Sequence, residues 1–320
     1  MRYKQFGKTN IMISAIGFGT WGFDTRLWRD GKISEFGRCL EIAVELGVNF
    51  VDTALIYGDG QAEKIIGVSI KSTESRHCMN VATKVSPKIP ISIPSPHIHA
   101  DQAFPSAHIR ESTEKSLKNL GTDCIFLQQL HAWSPRWLYE GEWLNTLQQL
   151  KKEGKIRAIG VSLHDHDCIS AIDLITSGYV DSIQVQYNLF DQGLEKYIGD
   201  LATRHGVAVL GRSPLYAGAL AGNYASSKKF IDDDWRSSFF EKQHLEEVNN
   251  RVSQMKKEFN LPHHLLADFA LSFAVSNPFI TSVLVGMRST KNVYSTINCA
   301  NKPYMYEDIR QYCRRYDWLS

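Results

Sequence analysis

Residues 35–53, EFGRCLEIAVELGVNFVDT, set the pattern from which the rest of the chain is read. In EFGRCLEIAVELG the apolar residues recur at helical spacing, Ser34 stands before the run as a cap, and Gly47 ends it. NFVDT follows at once. It is a short strand-like run that delivers a polar residue, Asp52, at its end.

The same couplet returns along the chain. Upstream lie a hairpin candidate (Arg2 to Phe6, a turn over Gly7 to Asn10, then Ile11 to Ser14) and the first strand, AIGFG. Downstream, helix AEKIIGVSIK, strand MNVATK, helix SAHIRESTEKSLKNLG, strand CIFLQQLH, helix EWLNTLQQLKKEG and strand IRAIGVS succeed one another. Helix DCISAIDLITSG, strand VDSIQVQ, helix GLEKYIGDLATRHG, strand VAVLG, helix PHHLLADFALSFAVS, strand TSVLVG and helix TKNVYSTINCA complete the series. Strands rich in Val, Ile and Leu, each followed by an amphipathic helix, point to a parallel sheet covered by helices. No GxGxxG follows the first strand, so a closed α/β barrel of eight strands and eight helices is favoured over an open doubly wound sheet. Residues 1–320 then form one domain with its chemistry on the C-terminal rim of the strands.

Three stretches stand outside the repeat. Val85 to Pro105 holds five of the ten prolines and no periodic pattern, so it reads as a long loop. Residues 213–240 form a second insertion, followed by an extra helix, EKQHLEEVNNRVSQMKKEF. The last 20 residues carry Tyr304, Tyr306, Tyr312, Tyr316 and Trp318, enough aromatic surface to pack against the body.

With 36 basic against 34 acidic residues, a net charge of +2 gives no large field for nucleic acid or an anionic membrane. The six cysteines never fall in a CxxC or other close pair, which indicates neither a zinc site nor a disulfide framework and fits a cytoplasmic protein. No run of apolar residues is long enough for a membrane span. A small-molecule substrate is the expected partner.

Four polar residues are delivered from neighbouring strand ends or the turns after them: Asp52, Tyr57, Lys84 and His131. A phenol with an ordinary pKa near ~10 holds its proton at neutral pH but gives it up reluctantly. Lys84 close to Tyr57 would lower that value, Asp52 would keep the ammonium charged, and a neutral His131 could donate a hydrogen bond to a developing oxyanion.

IGFGTW, FVDTALIYGDGQAEKIIG, ATK, LQQLHAW, KIRAIGVS, QVQYNLFD, SPLYAGALAGNY and VLVGMRST together resemble the aldo-keto reductases over nearly the whole chain. The resemblance implies a TIM barrel plugged below by the N-terminal hairpin, and NAD(P)H-dependent reduction of an aldehyde or ketone with Tyr57 as general acid. It also implies cofactor contacts. Ser162 and Gln184 match the nicotinamide carboxamide ligands, while Leu163 replaces the usual Asn. GRSPL puts Arg212 where many relatives stack a tyrosine on the nicotinamide, a pattern similar to some bacterial branches. Ser213, Leu215, Gly218 and Leu220 match the pyrophosphate segment, and Asp52 borders the same site. Gly286, Arg288 and Ser289 match the adenine end, with Asn292 standing where relatives often carry Arg or Gln, and Arg288 and Ser289 at a helix start near Thr290 favour NADPH, NADH not being excluded. Ser295 and Thr296 stand where relatives carry Glu and Asn.

Trp21, Trp133 and Trp318 are candidates for the substrate wall beside Tyr57 and His131. His164, Asp165, His166 and Asp167 have the look of a metal box, but Asp165 or Asp167 suits a helix cap and no metal is expected. His97 and His99 read as solvated loop residues, and His263 with His264 opens a helix. Two other readings stay open: an aldolase using Lys84 as a Schiff base, and a cofactor-bound subunit that reports redox state to a partner. The substrate and the oligomeric state are not legible.

Overall fold

Strands dense in branched apolar residues, each running into an amphipathic helix, close on themselves. The computed structural model describes residues 1–29, 32–71, 79–90, 97–222, 224, 230–302 and 305–320. The barrel strands are β3 (Ile16–Gly19), β4 (Phe50–Asp52), β5 (Asn80–Val85), β6 (Ile125–Leu130), β7 (Ile156–Ser162), β8 (Ser182–Gln186), β9 (Ala208–Arg212) and β10 (Ser282–Gly286). All pair in parallel with their sequence neighbours, and β10 closes the ring against β3 and β9. The eight-stranded (β/α)8 barrel expected from the sequence is the fold.

The outer ring consists of α1 (Ile33–Glu45), α2 (Gln61–Lys71), α4 (Ser106–Leu120), α5 (Trp143–Lys152), α6 (Ile172–Ser177), α7 (Gly199–Arg204), α10 (Leu266–Ser276) and α11 (Thr290–Asn301). Helix α1 starts two residues earlier than its sequence suggests: Lys32 is the N-cap, and Ser34 lies inside the helix rather than capping it. The extra helix is α9 (Lys242–Glu258), preceded by the single turn α8 (Arg236–Phe239). The proline-rich stretch is not all loop. It contains α3 (Ala100–Ala103), capped by His99, whose Nδ1 accepts from the Asp101 N–H, so His99 is a structural cap. Residues 91–96 of that stretch, and Cys78, Asn223 and Tyr304, lie outside the described residues.

Below the barrel, β1 (Tyr3–Gln5) and β2 (Met12–Ser14) form the antiparallel hairpin. Its Phe6 and Ile13 insert among Phe50, Phe126, Leu127 and Leu284, with Phe6 edge-on to Phe126 at 4.9 Å between ring centroids. The turn needs Gly7: it sits at φ +53°, and a Cβ there would come 2.5 Å from the Gly206 carbonyl oxygen. Sealing this end with apolar rings leaves the other end for polar groups.

The aromatic C-terminus packs as expected. In α12 (Glu307–Tyr312), Arg310 donates to Glu195 at 2.6 Å, and the Trp318 and Leu319 N–H groups both donate to the Phe190 carbonyl. Among the described residues no helix is long and apolar enough to cross a membrane, and none of the cysteines is bonded to another.

Candidate active site

Strand alternation decides which polar residues reach the barrel axis. In β5, Lys84 turns inward, while Thr83 turns outward to donate to Glu63 of α2 at 2.7 Å. Lys84 is fully buried, and its Nζ donates to Asp52 Oδ2 at 2.7 Å and to the Thr53 carbonyl at 2.7 Å. Its third contact is Tyr57 Oη at 3.5 Å. Asp52 Oδ1 accepts from Gln184 Nε2 at 2.8 Å and from Gln129 Nε2 at 3.3 Å. His131 continues β6 beyond its end, its N–H donating to the Val85 carbonyl, and its ring stands edge-on to Tyr57 at 5.9 Å. All four predicted residues therefore meet at the C-terminal mouth.

Gln129 was quoted in the sequence without a role. Its position two residues before His131 puts it on the same inward face, which is the signal that could have found it. Gln184, expected to face a carboxamide, here braces Asp52.

The electrostatics follow from this packing. Burial alone would lower Lys84, but the Asp52 charge, the tyrosine and their hydrogen bonds outweigh it and hold the amine above its ordinary value. Enclosure pushes the Tyr57 phenol up, opposed by the Lys84 ammonium and reinforced by Asp52. The net direction is opposite to the expected lowering of the phenol: desolvation, reinforced by Asp52, outweighs Lys84 at 3.5 Å and the more weakly acting Arg212. Enclosure, followed by the charges of Lys84 and Arg212, holds His131 well below an ordinary imidazole, so it stands neutral.

The turn that carries Tyr57 is forced by its sequence. Gly58, Asp59 and Gly60 all adopt positive φ, at 63°, 52° and 81°, which reverses the chain into α2 directly after the tyrosine.

Beyond this core the rim residues separate. Arg212, at the end of β9, pairs with Asp165 Oδ1 at 2.6 Å and donates to Gln186 Oε1 and the Leu163 carbonyl. Ser213 has φ +57°, and Tyr216, Ala217 and Gly218 are also left-handed; Leu215 is half-buried and Leu220 buried in the same segment. Ser162 is buried at the end of β7. Gly286 is exposed at the end of β10, and Ser289 caps α11 by accepting the Asn292 N–H. The Arg288 guanidinium lies over the Trp28 ring at 4.6 Å. Within α11, Thr296 is buried and Ser295 exposed.

The tryptophans divide too. Trp21 is half-buried at the rim against Trp28 and Trp235. Trp133 is not a mouth residue: it is buried among Trp137 and Trp143, with its Nε1 donating to the Ser170 carbonyl, because the chain after His131 turns back into the helical layer. Trp318 stacks on His244 and under Arg251. The supposed metal box disperses: Asp165 binds Arg212, Asp167 accepts the Ser170 N–H, and His166 Nδ1 meets the buried Asp191 at 2.8 Å. Among the described residues no group of three or more His, Cys, Asp or Glu is placed to hold a metal ion.

Residues 15–314 match the model of the aldo/keto reductase family. The chain is 31% identical over 259 residues to the aldo-keto reductase YhdN of Bacillus subtilis (strain 168), covering 80% of this chain and 76% of that one. It is 26% identical to the NADH-specific methylglyoxal reductase of Escherichia coli (strain K12), with 94% of each chain covered. The holo form of the aldo-keto reductase AKR11C1 from Bacillus halodurans superposes with a TM-score of 0.77 at 23% identity, covering 100% of this chain and 97% of its own, and shares the fold. The chain belongs to the aldo/keto reductase family, barrel oxidoreductases that act on small carbonyl compounds with a nicotinamide cofactor.

Proposed function

We propose that this protein, as one barrel unit over residues 1–320, reduces an aldehyde or ketone to an alcohol with NADPH, Tyr57 giving the proton. The observation that carries the proposal is the line Asp52, Lys84, Tyr57: a carboxylate 2.7 Å from a buried ammonium that lies 3.5 Å from a phenol at the barrel mouth. A bound reduced nicotinamide supplies the two electrons and the hydrogen that the carbonyl carbon gains.

The chain's residues do the rest. As the carbonyl oxygen gains charge, Tyr57 Oη releases its proton to it, and the fixed Lys84 ammonium stabilises the phenolate left behind. Neutral His131 donates a hydrogen bond to the same oxygen. Asp52, held by Gln184 and Gln129, keeps Lys84 charged and still. An ammonium bound to Asp52 and the Thr53 carbonyl is a poor nucleophile, which counts against a Schiff base on Lys84.

Two features suit a dinucleotide. Gln186 Nε2 is buried without a hydrogen-bond partner beside Arg212, and the left-handed residues Ser213, Tyr216 and Ala217 are strained backbone of the kind found where loops clamp ligands. Arg212 is the proposed stacking partner of the nicotinamide, with Ser162 and Gln184 at its edge. Leu215, Gly218 and Leu220 would border the pyrophosphate, and Gly286, Arg288, Ser289 and Asn292 the adenosine. A cation at 288 beside the α11 N-terminus favours a 2′-phosphate, hence NADPH, although one relative is named as NADH-specific. Cofactor oxidation with a carbonyl panel, run with NADPH and NADH, tests the reading. Turnover retained in Tyr57→Phe would refute it.

A further inference from the structure

The tyrosine of the proposed site sits in a turn whose local sequence sets the reversal and whose own backbone hydrogen bonds, such as the Tyr57 N–H to the Ala54 carbonyl, close it. Gly58, Asp59 and Gly60 are all left-handed, and Ile56 is more than half exposed. A second anchor comes from elsewhere in the chain. Asp24, 1% exposed, ends the short 3-10 helix Trp21–Phe23 after β3. Its Oδ2 accepts the Gly58 N–H at 2.9 Å. The same carboxylate receives Arg26 in a two-pronged pair, Nε at 2.9 Å and a terminal nitrogen at 2.7 Å. That terminal nitrogen also donates to the Ile56 carbonyl at 3.0 Å. The backbone is thus gripped on both sides of Tyr57, at the carbonyl before it and the amide after it.

We propose that Asp24, acting with Arg26, is a positioning residue that sets the Tyr57 hydroxyl against Lys84. The geometry makes the reason plain: the Oη to Nζ distance is 3.5 Å, at the outer limit of a hydrogen bond, so a small drift of the turn severs it. Proton transfer tolerates little misplacement, and a shift of about 1 Å costs on the order of 100-fold. The same short loop reaches the cofactor side. The Leu27 carbonyl accepts the Trp235 N–H at 3.3 Å, and the guanidinium groups of Arg236 and Arg288 both lie over the Trp28 ring, at 4.7 and 4.6 Å. Residues 24–28 therefore join the acid-bearing turn to the segment that follows β9.

The inference rests on Tyr57 being the acid, so Tyr57→Phe is measured beside Asp24→Ala and Asp24→Asn. Arg26 is largely exposed, so stranding it in these variants leaves the barrel folded. Asp24→Ala is expected to lower kcat by ~10- to 100-fold, with cofactor Kd within about twofold. Asp24→Asn, which keeps an acceptor for the Gly58 N–H, should fall between it and the parent. With the phenol further from Lys84, the alkaline limb of the kcat profile moves to higher pH, and amide exchange over residues 54–60 rises. An unchanged kcat in Asp24→Ala, or a lower kcat with an unmoved alkaline limb, overturns the proposal. Activity surviving in Tyr57→Phe overturns the general-acid reading instead.

Discussion

Lys84 Nζ stands 2.7 Å from Asp52 Oδ2 inside a barrel whose opposite end is sealed by Phe6, Phe50 and Phe126. The pair is buried on both sides, with side-chain exposures of 0% and 7%. Removing one partner leaves an uncompensated charge in an apolar shell.

Lys84→Met is therefore expected to destabilise the protein by about 3–5 kcal/mol as well as abolish turnover. Denaturant melts of Lys84→Met and of Lys84→Met with Asp52→Asn decide this. The double variant should recover part of the loss, because no lone carboxylate remains.

Tyr57→Phe keeps the ring and its edge contact with His131 but removes the only hydroxyl near Lys84 that the proposal uses. Turnover should fall by at least ~10² to 10⁴-fold, while cofactor binding followed by fluorescence changes little. In the parent enzyme, enclosure holds the phenol above its usual value, so kcat should stay flat through neutral pH and fall only on the alkaline side, where Tyr57 loses its proton.

His131 gives a stability signature of opposite placement. Its folded value is depressed, so the unfolded chain binds the proton more readily. The stabilisation is complete above the unfolded histidine value near ~6.5 and is lost as pH falls from there toward the folded value. His131→Gln should flatten this acid-side slope in Tm against pH, and a slope equal to the parent's would contradict the assignment.

If Arg212 lies on the nicotinamide as proposed, Asp165 limits its effect on the cofactor. A bare cation against the nicotinamide would disfavour its oxidised, positively charged form, but a carboxylate at 2.6 Å offsets that charge. Asp165→Asn should raise the preference for the reduced cofactor, and Arg212→Tyr should lower it, as read from dissociation constants for both forms. Equal ratios in all three proteins would rule the effect out.

Trp133→Ala is expected to cost about 3–5 kcal/mol through a core cavity, with substrate KM unchanged where the fold survives. The distinction shows what local sequence leaves open. LQQLHAW places His131 at a strand end, but nothing within it says that the chain then turns Trp133 back under Trp137 and Trp143. Similarly, Asp165 and His166 look alike as ligands in the sequence. The structure sends one to Arg212 and the other to Asp191, partners that lie on other strands and loops.

The sequence alone determined the barrel, the plugging hairpin and the rim on which Asp52, Tyr57, Lys84 and His131 gather. The barrel and its rim follow from period-two and helical spacing, from glycine turns and from motifs confined to a few consecutive residues, while the plugging role of the hairpin came with the family resemblance. Tertiary structure decided the charge state and placement of those groups: the direction in which the phenol shifts, the bracing of Asp52 by Gln129 and Gln184, and the grip of Asp24 on the turn 34 residues away. Desolvation and hydrogen bonding depend on which distant atoms close around a group, and strand periodicity carries no record of them.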